Sequence, residues 1–423
     1  MKKIFGLDFG TTNSALSVND GGQVEVIDID RHNLAVKTLR SVIYFDEEKN
    51  IFVGQEAVQN YIDNGAVGRF MQSIKSFLPS QQFDHTYINR KRYELDDLIA
   101  IILRRIKEDG EEYVGHAVDE VVMGRPVVFS ENVEKDRLAE NRLHKAAEKA
   151  GFKNIRFQLE PIAAALAFEK TLSEGKEKNV LIGDFGGGTS DFTVMRLKGG
   201  LVRTKSRQED ILAVSGAYIG GDTFDSQIMW NKMAKYFGKN VKFRSMTNQL
   251  LAMPTIITFK LRNWHLIPQL RERSIREYIK QIRQSADDKR AIENLENLIE
   301  DNYGFMLFQA IEKAKIDLSS YDNSRLVFKE RDLVIKEGIS RKEFEVMIIE
   351  DVSKINKCVD LVLKDAGVTE KEIDTVFITG GSSHIPCIRS IFTEKFGEEK
   401  IRQKDAFTSV AYGLGLSASM LFN

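Results

Sequence analysis

Two short stretches of the sequence combine an aspartate with a turn rich in glycine and threonine. They read DFGTTNSALSV from Asp8 to Val18 and DFGGGTSDFTV from Asp184 to Val194. Turns of this composition expose several backbone N–H groups in a concave row, which accepts phosphate oxygens much as a helix N-terminus does. An aspartate at the strand end before each turn is suited to hold Mg²⁺ through its water ligands. The pair therefore predicts a clamp for a polyphosphate and its magnesium ion.

Each stretch taken alone has a simpler explanation, because glycine and threonine are also common in tight hairpin turns. For a single copy, a plain hairpin turn is the favoured interpretation, whereas the presence of two copies favours the phosphate clamp. The separation between Asp8 and Asp184 is far longer than the period of a solenoid or a propeller. We therefore expect two similar half-molecules that face each other across a cleft.

The elements that must position these turns follow from local patterns. Both copies lie between runs of apolar or β-branched residues, which predicts a strand–turn–strand hairpin in each case. Between them, Glu120 to Met123 has the alternation of a strand, and Glu134 to Ala150, closed by Gly151, has the pattern of a helix. The alanine-rich segment LEPIAAALAFEKTL predicts a further helix that begins just after Pro161.

The second half of the chain contains a long stretch with helical spacing. From about Asn231 to Ser320, Leu and Ile recur at helical intervals among Arg, Glu and Lys, which predicts a helical subdomain. Ser340 predicts the N-cap of a helix that runs to Gly367. A strand (TVFITGG), a turn (SSHIP), a helix (IRSIFTEKFG) and a closing helix from about Thr408 complete the predicted elements.

The composition restricts the class of partner. Lys and Arg number 61 against 62 Asp and Glu in 423 residues, so the overall charge gives no reason to expect nucleic acid or an anionic membrane as the partner. No stretch reaches the roughly 20 apolar residues of a membrane span. The start MKKIFGLDFG has the pattern of a first strand rather than a signal peptide. Two cysteines, Cys358 and Cys387, are too few for a disulfide framework, and we expect a cytoplasmic protein.

Seven motifs occur in one order along the chain: DFGTTNSA, IKSFL, LEPIAAALAFE, DFGGGTSDFTV, IGGDTFDS, EKAKIDLSS and ITGGSSHIP. Together they resemble the ATPase domain of DnaK-type heat-shock protein 70 chaperones over nearly the whole chain. No G-x-x-x-x-G-K-[ST] pattern is present, which argues against a P-loop, and no other kinase motif accompanies DFG. The resemblance implies an α/β, actin-like ATPase fold with two lobes, each with a mixed sheet and helices, around an interlobe nucleotide cleft, plus an enlarged helical subdomain.

The same resemblance implies ATP or ADP and Mg²⁺ as cofactors, with slow hydrolysis of ATP to ADP and phosphate. The residues that it places in the site fall into three groups. The implied catalytic residues are Lys75, Glu160, Asp184, Thr189 and Asp191. The implied metal-positioning residues are Asp8 and Asp184. The implied nucleotide-binding residues are Gly10, Thr11, Thr12, Asn13, Gly186, Gly187, Gly188, Gly220, Gly221, Asp222, Glu312, Lys315, Ser319, Gly380, Gly381, Ser382 and His384.

Each implied role has a physical reason and a simpler alternative. The resemblance puts Lys75 near the γ-phosphate, where a cation stabilises charge and orients the attacking water, although unaided it has the pattern of a solvated lysine. Glu160 and Asp191 match carboxylates that orient or deprotonate water, and Glu160 also suits the start of a helix. The spacing from Glu312 to Ser319 puts one helix face toward adenosine, and it also suits an ordinary charged face.

The sequence departs from the family pattern at several places. His384 stands where the family has an arginine stacked on adenine, which predicts weaker stacking. The PDEAVA signal before the last helix survives only as KDAFTSVAYG, with Asp405 displaced. Pro126 matches the proline that couples nucleotide state to lobe rotation, or is simply a turn proline. The arginine expected after it has no match, Arg142 being only a neighbour. The enlarged region from Asn231 to about Tyr303 resembles instead the short, stand-alone group typified by YegD.

The expected organisation follows from these assignments. Lobe I comprises residues 1–175 and 405–423, with a subdomain insertion at about 39–99, and lobe II comprises 176–404, with a helical insertion at about 231–320. We expect no C-terminal substrate-binding domain. The resemblance then implies a chaperone-like protein whose lobes rotate with nucleotide state and act on an unidentified client or co-chaperone. Trp264 and Phe305 to Phe308 are candidate apolar anchors on the insertion, whose charged face otherwise fits solvated surface.

Two alternatives belong to other classes of protein. The first is a cytoskeletal actin relative, which predicts nucleotide-dependent filaments that sediment. The second is a sugar or acid kinase on the same fold, which needs an acceptor pocket and a carboxylate for the acceptor hydroxyl. The motif EKAKIDLSS, which the resemblance assigns to adenosine binding, favours the chaperone branch over both.

Overall fold

The computed structural model describes residues 2–33, 35–83, 85–130, 132–169, 175–198, 208–245, 247–331, 333–402 and 408–422. Asp405, the acid that is displaced relative to the family's PDEAVA signal, lies outside these ranges. The described part is a mixed α/β protein, and the prediction of an α/β fold with two mixed sheets is confirmed. Among the described residues, no helix has the length and apolar character needed to cross a membrane.

The first half of the chain begins with strands and alternates with helices from residue 55 onward. Its elements are β1 (Lys3–Phe9), β2 (Asn13–Asp20), β3 (Gln23–Val26), β4 (Leu39–Arg40), β5 (Val42–Phe45), β6 (Ile51–Val53), α1 (Gln55–Asp63), β7 (Arg69–Gln72), β8 (His85–Ile88), β9 (Lys91–Glu94), α2 (Leu95–Val114), β10 (Glu120–Arg125), α3 (Val133–Ala150), β11 (Asn154–Leu159) and α4 (Glu160–Glu169). A single 3₁₀ turn, Ile74–Phe77, follows β7.

The second half of the chain opens with a hairpin and continues through a largely helical region. Its elements are β12 (Glu177–Phe185), β13 (Ser190–Lys198), β14 (Ile211–Ala217), α5 (Gly221–Ile228), β15 (Lys242–Arg244), β16 (Leu250–Ala252), α6 (Thr255–Arg262), α7 (Arg273–Ser285), α8 (Lys289–Glu300), α9 (Gly304–Ser320), β17 (Asn323–Glu330), β18 (Leu333–Ser340), α10 (Arg341–Asp365), β19 (Thr375–Thr379), α11 (Pro386–Phe396), β20 (Ile401–Arg402) and α12 (Ser409–Leu421). This half also contains the 3₁₀ segments Trp264–Arg271 and Gly381–His384.

The two large sheets have the same strand plan. The first has the order β11-β10-β1-β2-β3, with β4 also paired to β2, and the second has the order β14-β13-β12-β19-β20. In each sheet an antiparallel hairpin, β1–β2 or β12–β13, is followed by parallel neighbours on the side of its first strand. The internal echo of the sequence is therefore a structural repeat, as predicted. Each sheet contributes to a separate hydrophobic core, which includes Phe5 and Leu103 in one case and Phe192 and Phe224 in the other.

Local signals determine several boundaries correctly. The hydroxyl of Ser340 accepts a hydrogen bond from the backbone N–H of Glu343 at 3.2 Å. In turn, the Glu343 carboxylate accepts a hydrogen bond from the backbone N–H of Ser340 at 2.8 Å. This reciprocal capping box starts α10 where the sequence predicted it. Helix α3 ends at Gly151, whose φ of 101° is the left-handed conformation that glycine favours. Helix α4 begins at Glu160, slightly earlier than the predicted start after Pro161, and the proline lies in its first turn.

One prediction about the second half needs correction. The region from Asn231 to Ser320 is not wholly helical, since the hairpin of β15 and β16 interrupts it. These strands are three residues long, too short for a period of two to be recognised in the sequence. They are held by burial of Phe243, whose ring lies 6.3 Å from that of Tyr278 on α7.

The closing helix α12 returns to the first sheet. The hydroxyl of Ser17 on β2 donates to the carbonyl of Ala411 at 2.6 Å, and the Asn19 side chain donates to the carbonyl of Gly415 at 2.6 Å. Helix α12 also packs along β1 and α4. Helix α12, the last described element, is thus attached to the sheet that contains β1.

Candidate functional site

The two glycine-rich turns lie directly opposite each other. The first joins β1 to β2 and the second joins β12 to β13. A Cβ atom placed on Gly187 would lie 2.5 Å from the Thr12 hydroxyl oxygen, a separation that real Cβ atoms essentially never show. A side chain at this position would force the Thr12 hydroxyl to move, so glycine favours the close approach of one turn to the other. The structure brings together the two halves of the predicted clamp.

Ser41 holds the first turn by donating hydrogen bonds to two of the turn's carbonyl oxygens. Its backbone N–H donates to the Thr12 carbonyl at 2.9 Å, and its hydroxyl donates to the Gly10 carbonyl at 2.8 Å. The same hydroxyl lies 2.9 Å from that of Ser14. Because carbonyl oxygens repel anions, engaging them with protein donors makes the turn a better phosphate site. Sequence reasoning did not single out Ser41, which lies outside the glycine-rich motif.

The start of α5 holds the second turn in the same way. The Gly221 N–H donates to the Gly186 carbonyl at 3.1 Å, and the Asp222 N–H donates to the Gly187 carbonyl at 2.8 Å. A Cβ on Gly220 would lie 2.5 Å from the Gly187 carbonyl oxygen, so this approach is also as close as backbone allows. The predicted ribose-side turn and the predicted phosphate turn are therefore one packed unit.

A lysine and a glutamate form a mostly buried ion pair beside the turns. Lys75 lies on the 3₁₀ turn after β7, and its Nζ is 3.0 Å from Oε1 of Glu160 at the start of α4. Their side chains are only 11% and 14% exposed. Burial alone would lower the pKa of Lys75, but the negative charges of Glu160, Asp8 and Asp184 outweigh burial and raise it. Lys75 is therefore a permanent cation, and not the solvated surface lysine of the simpler alternative.

The aspartates that precede the two turns have too little positive charge around them to balance their own negative charge. Burial, and then the negative charge of Glu160, raise the pKa of Asp8 to about 8, against the opposing effect of Lys75. The same two causes raise the pKa of Asp184, although the Thr379 hydroxyl donates to its Oδ1 at 2.8 Å and acts in the opposite direction. One ammonium group does not compensate these carboxylates. The cluster therefore has the electrostatic character of a cation site.

This donor set suits a hard cation that keeps most of its water. Within the described ranges, no three Asp, Glu, His or Cys side chains come close enough together to hold a metal ion by themselves. Mg²⁺ prefers oxygen ligands and usually retains several waters, with one or two protein carboxylates and substrate phosphates completing its shell. Asp8 and Asp184 fit that pattern, and they do not fit a site built wholly from protein ligands.

Asp191 sits on the strand that leaves the second turn. The Thr189 hydroxyl donates to its Oδ2 at 2.8 Å, which joins two of the predicted catalytic residues. Burial raises the pKa of Asp191 to about 7, with smaller contributions from the charges of Asp184 and Glu160. A carboxylate whose pKa lies near neutrality is suited to exchange a proton with water.

Helix α9 faces the start of α5 across the second half of the site. Lys315 donates to the Gly221 carbonyl at 3.2 Å and forms a 2.8 Å ion pair with Asp225. Burial raises the pKa of Asp225 to about 7 in spite of this lysine, and its Oδ1 has no hydrogen-bond partner among the described residues. Glu312, one turn earlier, lies 3.6 Å from Arg40 of the first half, so the pair spans the cleft. Sequence reasoning missed both Arg40 and Asp225.

The glycine turn after β19 closes this side of the site. Gly380 has a φ of 84°, and a Cβ there would lie 2.0 Å from the Phe185 carbonyl oxygen, so the position requires glycine. Ser382 is buried and lies close to Gly221, whereas His384 at the end of the 3₁₀ segment is exposed. Ser319 donates its hydroxyl to the carbonyl of residue 315 at 3.4 Å. This bond of Ser319 lies within α9.

The helical insertion meets the first half of the chain through aromatic side chains. The ring of Phe305 lies 4.4 Å from that of Phe70 and 5.7 Å from that of Tyr61. The Asn302 amide donates to the carbonyl of Ala66 at 2.8 Å. Phe308 is 5% exposed. The hypothesis that Phe305 to Phe308 are anchors for a partner is therefore wrong, because this segment is used within the chain.

Arg125 contacts Pro126, whereas Arg142 does not, and the sequence indicated neither arrangement. Arg125 immediately precedes the proline, donates to its carbonyl at 3.1 Å and forms a 3.0 Å ion pair with Asp136 of α3. Arg142, on the same helix, points elsewhere. Its guanidinium donates to the carbonyls of the segment that follows Lys75, at residues 77, 78, 80 and 83, with distances of 3.4, 2.9, 2.8 and 2.9 Å. Arg142 thus fastens the segment that carries Lys75.

Replacing Arg142 is expected to slow chemistry at the site more than it weakens ligand binding. Arg142→Ala would release four carbonyls and let Lys75 drift, and a misplacement of about 1 Å at a reacting centre costs up to about 10²-fold in rate. Arg142→Lys would recover little, because an ammonium cannot span these acceptors. Single-turnover cleavage of ATP, measured beside calorimetric ATP affinity, checks this. Arg137→Ala, an exposed position on the same helix, is the control. Equal rates in Arg142→Ala and Arg137→Ala would contradict the assignment.

Comparisons with known proteins agree with this geometry. The sequence model of the family described as Hsp70 protein matches residues 4–255 and 279–423. The chaperone protein DnaK of Thermosipho melanesiensis is 27% identical over 430 aligned residues, which cover 99% of this chain and 59% of that protein. The chaperone protein DnaK of Thermosipho africanus is 28% identical over 429 aligned residues, with the same coverage of 99% and 59%.

The chain thus spans about 59% of the length of these curated relatives. The family match extends over both sheets and over both glycine-rich turns. The repeated strand plan and the facing turns agree with the actin-like ATPase fold that the sequence motifs implied. The chain therefore belongs to the Hsp70 protein family.

Proposed function

We propose that this protein binds ATP with Mg²⁺ in the cleft between its two sheets and hydrolyses the γ-phosphate slowly. The observation that supports this most strongly is the placement of two facing glycine-rich turns beside the buried pair of Lys75 and Glu160. A cation between acidic groups, next to two rows of backbone donors, is the arrangement that phosphoryl transfer needs.

In this proposal the backbone holds the phosphates. The backbone N–H groups of the two glycine-rich turns would face the polyphosphate from two sides, apart from that of Gly186, which donates to the Thr189 carbonyl at 2.9 Å. Neighbouring segments occupy carbonyls of the same turns. A Cβ on Gly188 or Gly381 would meet no atom within 4 Å, so both positions border open space that a ligand can fill. Asp222, Glu312 and Lys315 line the nucleoside side.

Asp8 and Asp184 would hold the metal through its waters. The chemistry that Mg²⁺ supplies when bound is neutralisation of the charge on the phosphate oxygens. The chain itself contributes Lys75, whose ammonium is kept charged by Glu160 and stabilises negative charge that develops at the γ-phosphate. Asp191, with a pKa of about 7, accepts the proton from the attacking water. The Thr189 hydroxyl orients Asp191 for that role.

We also propose the lobe boundaries and the biological role. Lobe I would comprise residues 1–175 and 405–423, which is supported by the bonds from α12 to Ser17 and Asn19. Lobe II would comprise 176–404, and the boundary between 404 and 405 lies outside the described residues. The relatives named DnaK are chaperones, and a chaperone-like action on a protein client or co-chaperone, driven by lobe rotation, follows by analogy.

Asp8→Asn is expected to weaken Mg²⁺·ATP binding by about tenfold or more, because a neutral amide loses the charged hydrogen bonds to metal-bound water. Asparagine keeps the shape of the carboxyl group, so the hairpin should remain folded. Isothermal calorimetry with Mg²⁺ and with excess EDTA measures the effect. Asp20→Asn, at the exposed far end of the same hairpin, is the matched control. Equal affinity in Asp8→Asn and wild type would remove Asp8 from the metal site.

The wild-type protein provides the direct test of the function. Single-turnover incubation of radiolabelled ATP with excess protein and Mg²⁺, and with no other protein or metabolite, should release phosphate slowly. Release that stops when EDTA is added supports the proposal. Binding of ATP without cleavage would overturn the hydrolase assignment and leave a nucleotide-sensing protein or a kinase that needs its acceptor.

A further inference from the structure

The helical insertion contains a segment whose charge differs from that of the whole chain. Residues 231–285 contain 12 Lys and Arg against two Glu and no Asp, whereas the formal net charge of the protein is −1. The family match stops at residue 255 and resumes at residue 279, so part of this segment lies outside it. A local excess of positive charge attracts partners of the opposite sign even where the overall charge is balanced. The segment therefore favours an acidic partner.

Ion pairs do not neutralise this excess. The two glutamates of the segment already have partners within it. Glu272 lies 3.7 Å from Lys260, and Glu277 lies 2.7 Å from Arg273. Four further cations are exposed, and among the described residues no carboxylate oxygen comes within 4.0 Å of their side-chain nitrogens. They are Lys242, Arg244, Arg271 and Arg276. The charge of these four residues remains available to a partner.

An exposed apolar stretch runs through the same segment, along β16 and α6. Leu250 is 59% exposed, Ile256 is 53% exposed and Phe259 is 59% exposed. The inward positions Met253 and Ile257 are buried and supply the core contacts. Because polar side chains at the three outward positions would leave that core intact, folding does not explain why these positions are apolar. Grouped apolar side chains at a protein surface mark a site of interaction.

On the β15–β16 hairpin, the cations and an apolar side chain share one face. Arg244 lies directly opposite Leu250, and Lys242 lies opposite Ala252. Residues that are paired across two strands project from the same face of a sheet, with Cβ atoms about 5 Å apart. The other face carries the buried Phe243 and packs against α7. The outward face of the hairpin therefore combines positive charge with an apolar side chain.

The types of exposed side chain favour a protein over other anionic partners. Nucleic-acid sites combine cations with aromatic rings on which bases stack, whereas two of the three exposed apolar residues here are aliphatic. A helix that lies on a membrane needs an apolar face free to enter the lipid, whereas Ile279 and Ile282, on the apolar face of the basic helix α7, are buried in the core. Aliphatic side chains beside cations instead match a protein segment that carries both carboxylates and apolar residues.

We propose that the insertion carries a docking surface for an acidic segment of a partner protein. The residues of this surface, called the insertion surface below, are Lys242, Arg244, Leu250, Ile256 and Phe259. The partner's apolar side chains would cover the three apolar residues, and its carboxylates would pair with the two cations. Trp264, suggested above as an apolar anchor, is not part of this surface, because it lines the pocket between the two halves of the chain. The inference does not depend on nucleotide binding.

The test uses a fluorescein-labelled peptide of about 12 residues in which Asp alternates with Leu, long enough to extend along both β16 and α6. Fluorescence anisotropy at low salt, without nucleotide, measures its affinity. Lys242→Glu combined with Arg244→Glu should weaken binding about tenfold or more, since each exposed charge contact contributes up to about fivefold and reversal replaces attraction by repulsion. Ile256→Ser combined with Phe259→Ser should weaken it by a similar factor. A peptide with Lys in place of Asp should not bind.

Matched controls come from other exposed positions of the chain. Val346→Ser combined with Ile349→Ser removes two exposed apolar side chains with the same spacing on α10, and Arg325→Glu combined with Lys329→Glu reverses two exposed charges on β17. Both control variants should bind the acidic peptide about as wild type does. Circular dichroism confirms that each variant is folded. Equal binding by the insertion-surface variants and these controls, or equal binding of the Lys peptide, would overturn the proposal.

Other occupants of the surface are tested on the same variants. Tighter binding of single-stranded poly(U), or of vesicles of phosphatidylcholine and phosphatidylserine, that is lost when both hairpin charges are reversed would overturn the assignment to a protein partner. Dimers in sedimentation that disappear in the Ile256→Ser, Phe259→Ser variant would assign the surface to a second copy of this chain and overturn it as well. Single-turnover ATP cleavage should equal that of wild type in every variant. Absence of cleavage in wild type would remove the proposed function and leave this inference standing.

Discussion

Lys75→Ala is expected to lower the single-turnover rate of ATP cleavage by about 10²–10³-fold, the loss seen when one preorganised donor to a developing charge is removed. Calorimetric affinity for Mg²⁺·ATP should change far less, since the backbone donors of the two turns remain. The distinction follows from the chemistry, because the backbone donors bind charge that the phosphates already carry in bound ATP, whereas a cation aimed at the reacting phosphoryl group acts mainly on the charge redistribution of the transition state.

The surroundings of Lys75 make the expected loss large. Its Nζ lies 3.0 Å from Glu160, and Asp8 and Asp184 act on it electrostatically, so the ammonium is fixed in direction and remains charged. No rearrangement is needed to aim it during the reaction. An ammonium that is preorganised in a poorly solvated site stabilises charge more strongly than a mobile lysine at the surface does.

Removing Lys75 also leaves Glu160 buried without its partner, which costs about 3–5 kcal/mol of stability when a buried pair is broken. Denaturant unfolding must therefore accompany the kinetics. Lys75→Ala combined with Glu160→Gln removes both charges and should recover stability while cleavage stays lost. Lys107→Ala removes a similarly buried lysine that pairs with Glu111 on α2, and it should lose stability without losing cleavage. Normal cleavage by a folded Lys75→Ala variant would remove Lys75 from the mechanism.

The sequence was informative where it contains a recognisable local signal. The two hairpins were predictable because the glycine-rich turn and its flanking apolar runs lie within about a dozen residues of one another. The start of α10 was predictable because the capping box of Ser340 and Glu343 spans three positions. The repeated strand plan followed from comparing the stretches at Asp8 and Asp184, since a repeated motif indicates a repeated fold.

Long-range contacts account for most of what the sequence did not predict. Arg142 is more than 50 residues from the carbonyls that it binds, and Arg40 is far along the chain from Glu312. No pattern near either arginine indicates its partner. Taken singly, the large apolar side chains of Phe305 and Trp264 suggest surface anchors. Only the packing of the insertion against the first half of the chain shows that they lie at the cleft.

Gly413→Ala is expected to destabilise the protein strongly. A Cβ at this position would lie 1.8 Å from the carbonyl oxygen of Ala163, which is backbone of α4 and has little freedom to move. Overpacking of a filled core typically costs roughly 1–3 kcal/mol, and a contact this short with backbone should reach the upper end of that range or exceed it. The midpoint of urea unfolding, monitored by circular dichroism, measures the loss.

The same substitution should also affect the proposed active site, because α4 begins at Glu160. Displacing α4 from α12 moves the carboxylate that holds Lys75, so cleavage of ATP should fall even in the folded fraction. Gly338→Ala is the matched control, since a Cβ there meets no atom within 4 Å and Gly→Ala at an unstrained position typically adds about 0.4–1 kcal/mol of stability. If both glycine variants unfolded at the same urea concentration as wild type, α12 could not pack on α4 as closely as described. Loss of both stability and cleavage in Gly413→Ala alone would instead indicate that the closing helix positions the pair of Lys75 and Glu160.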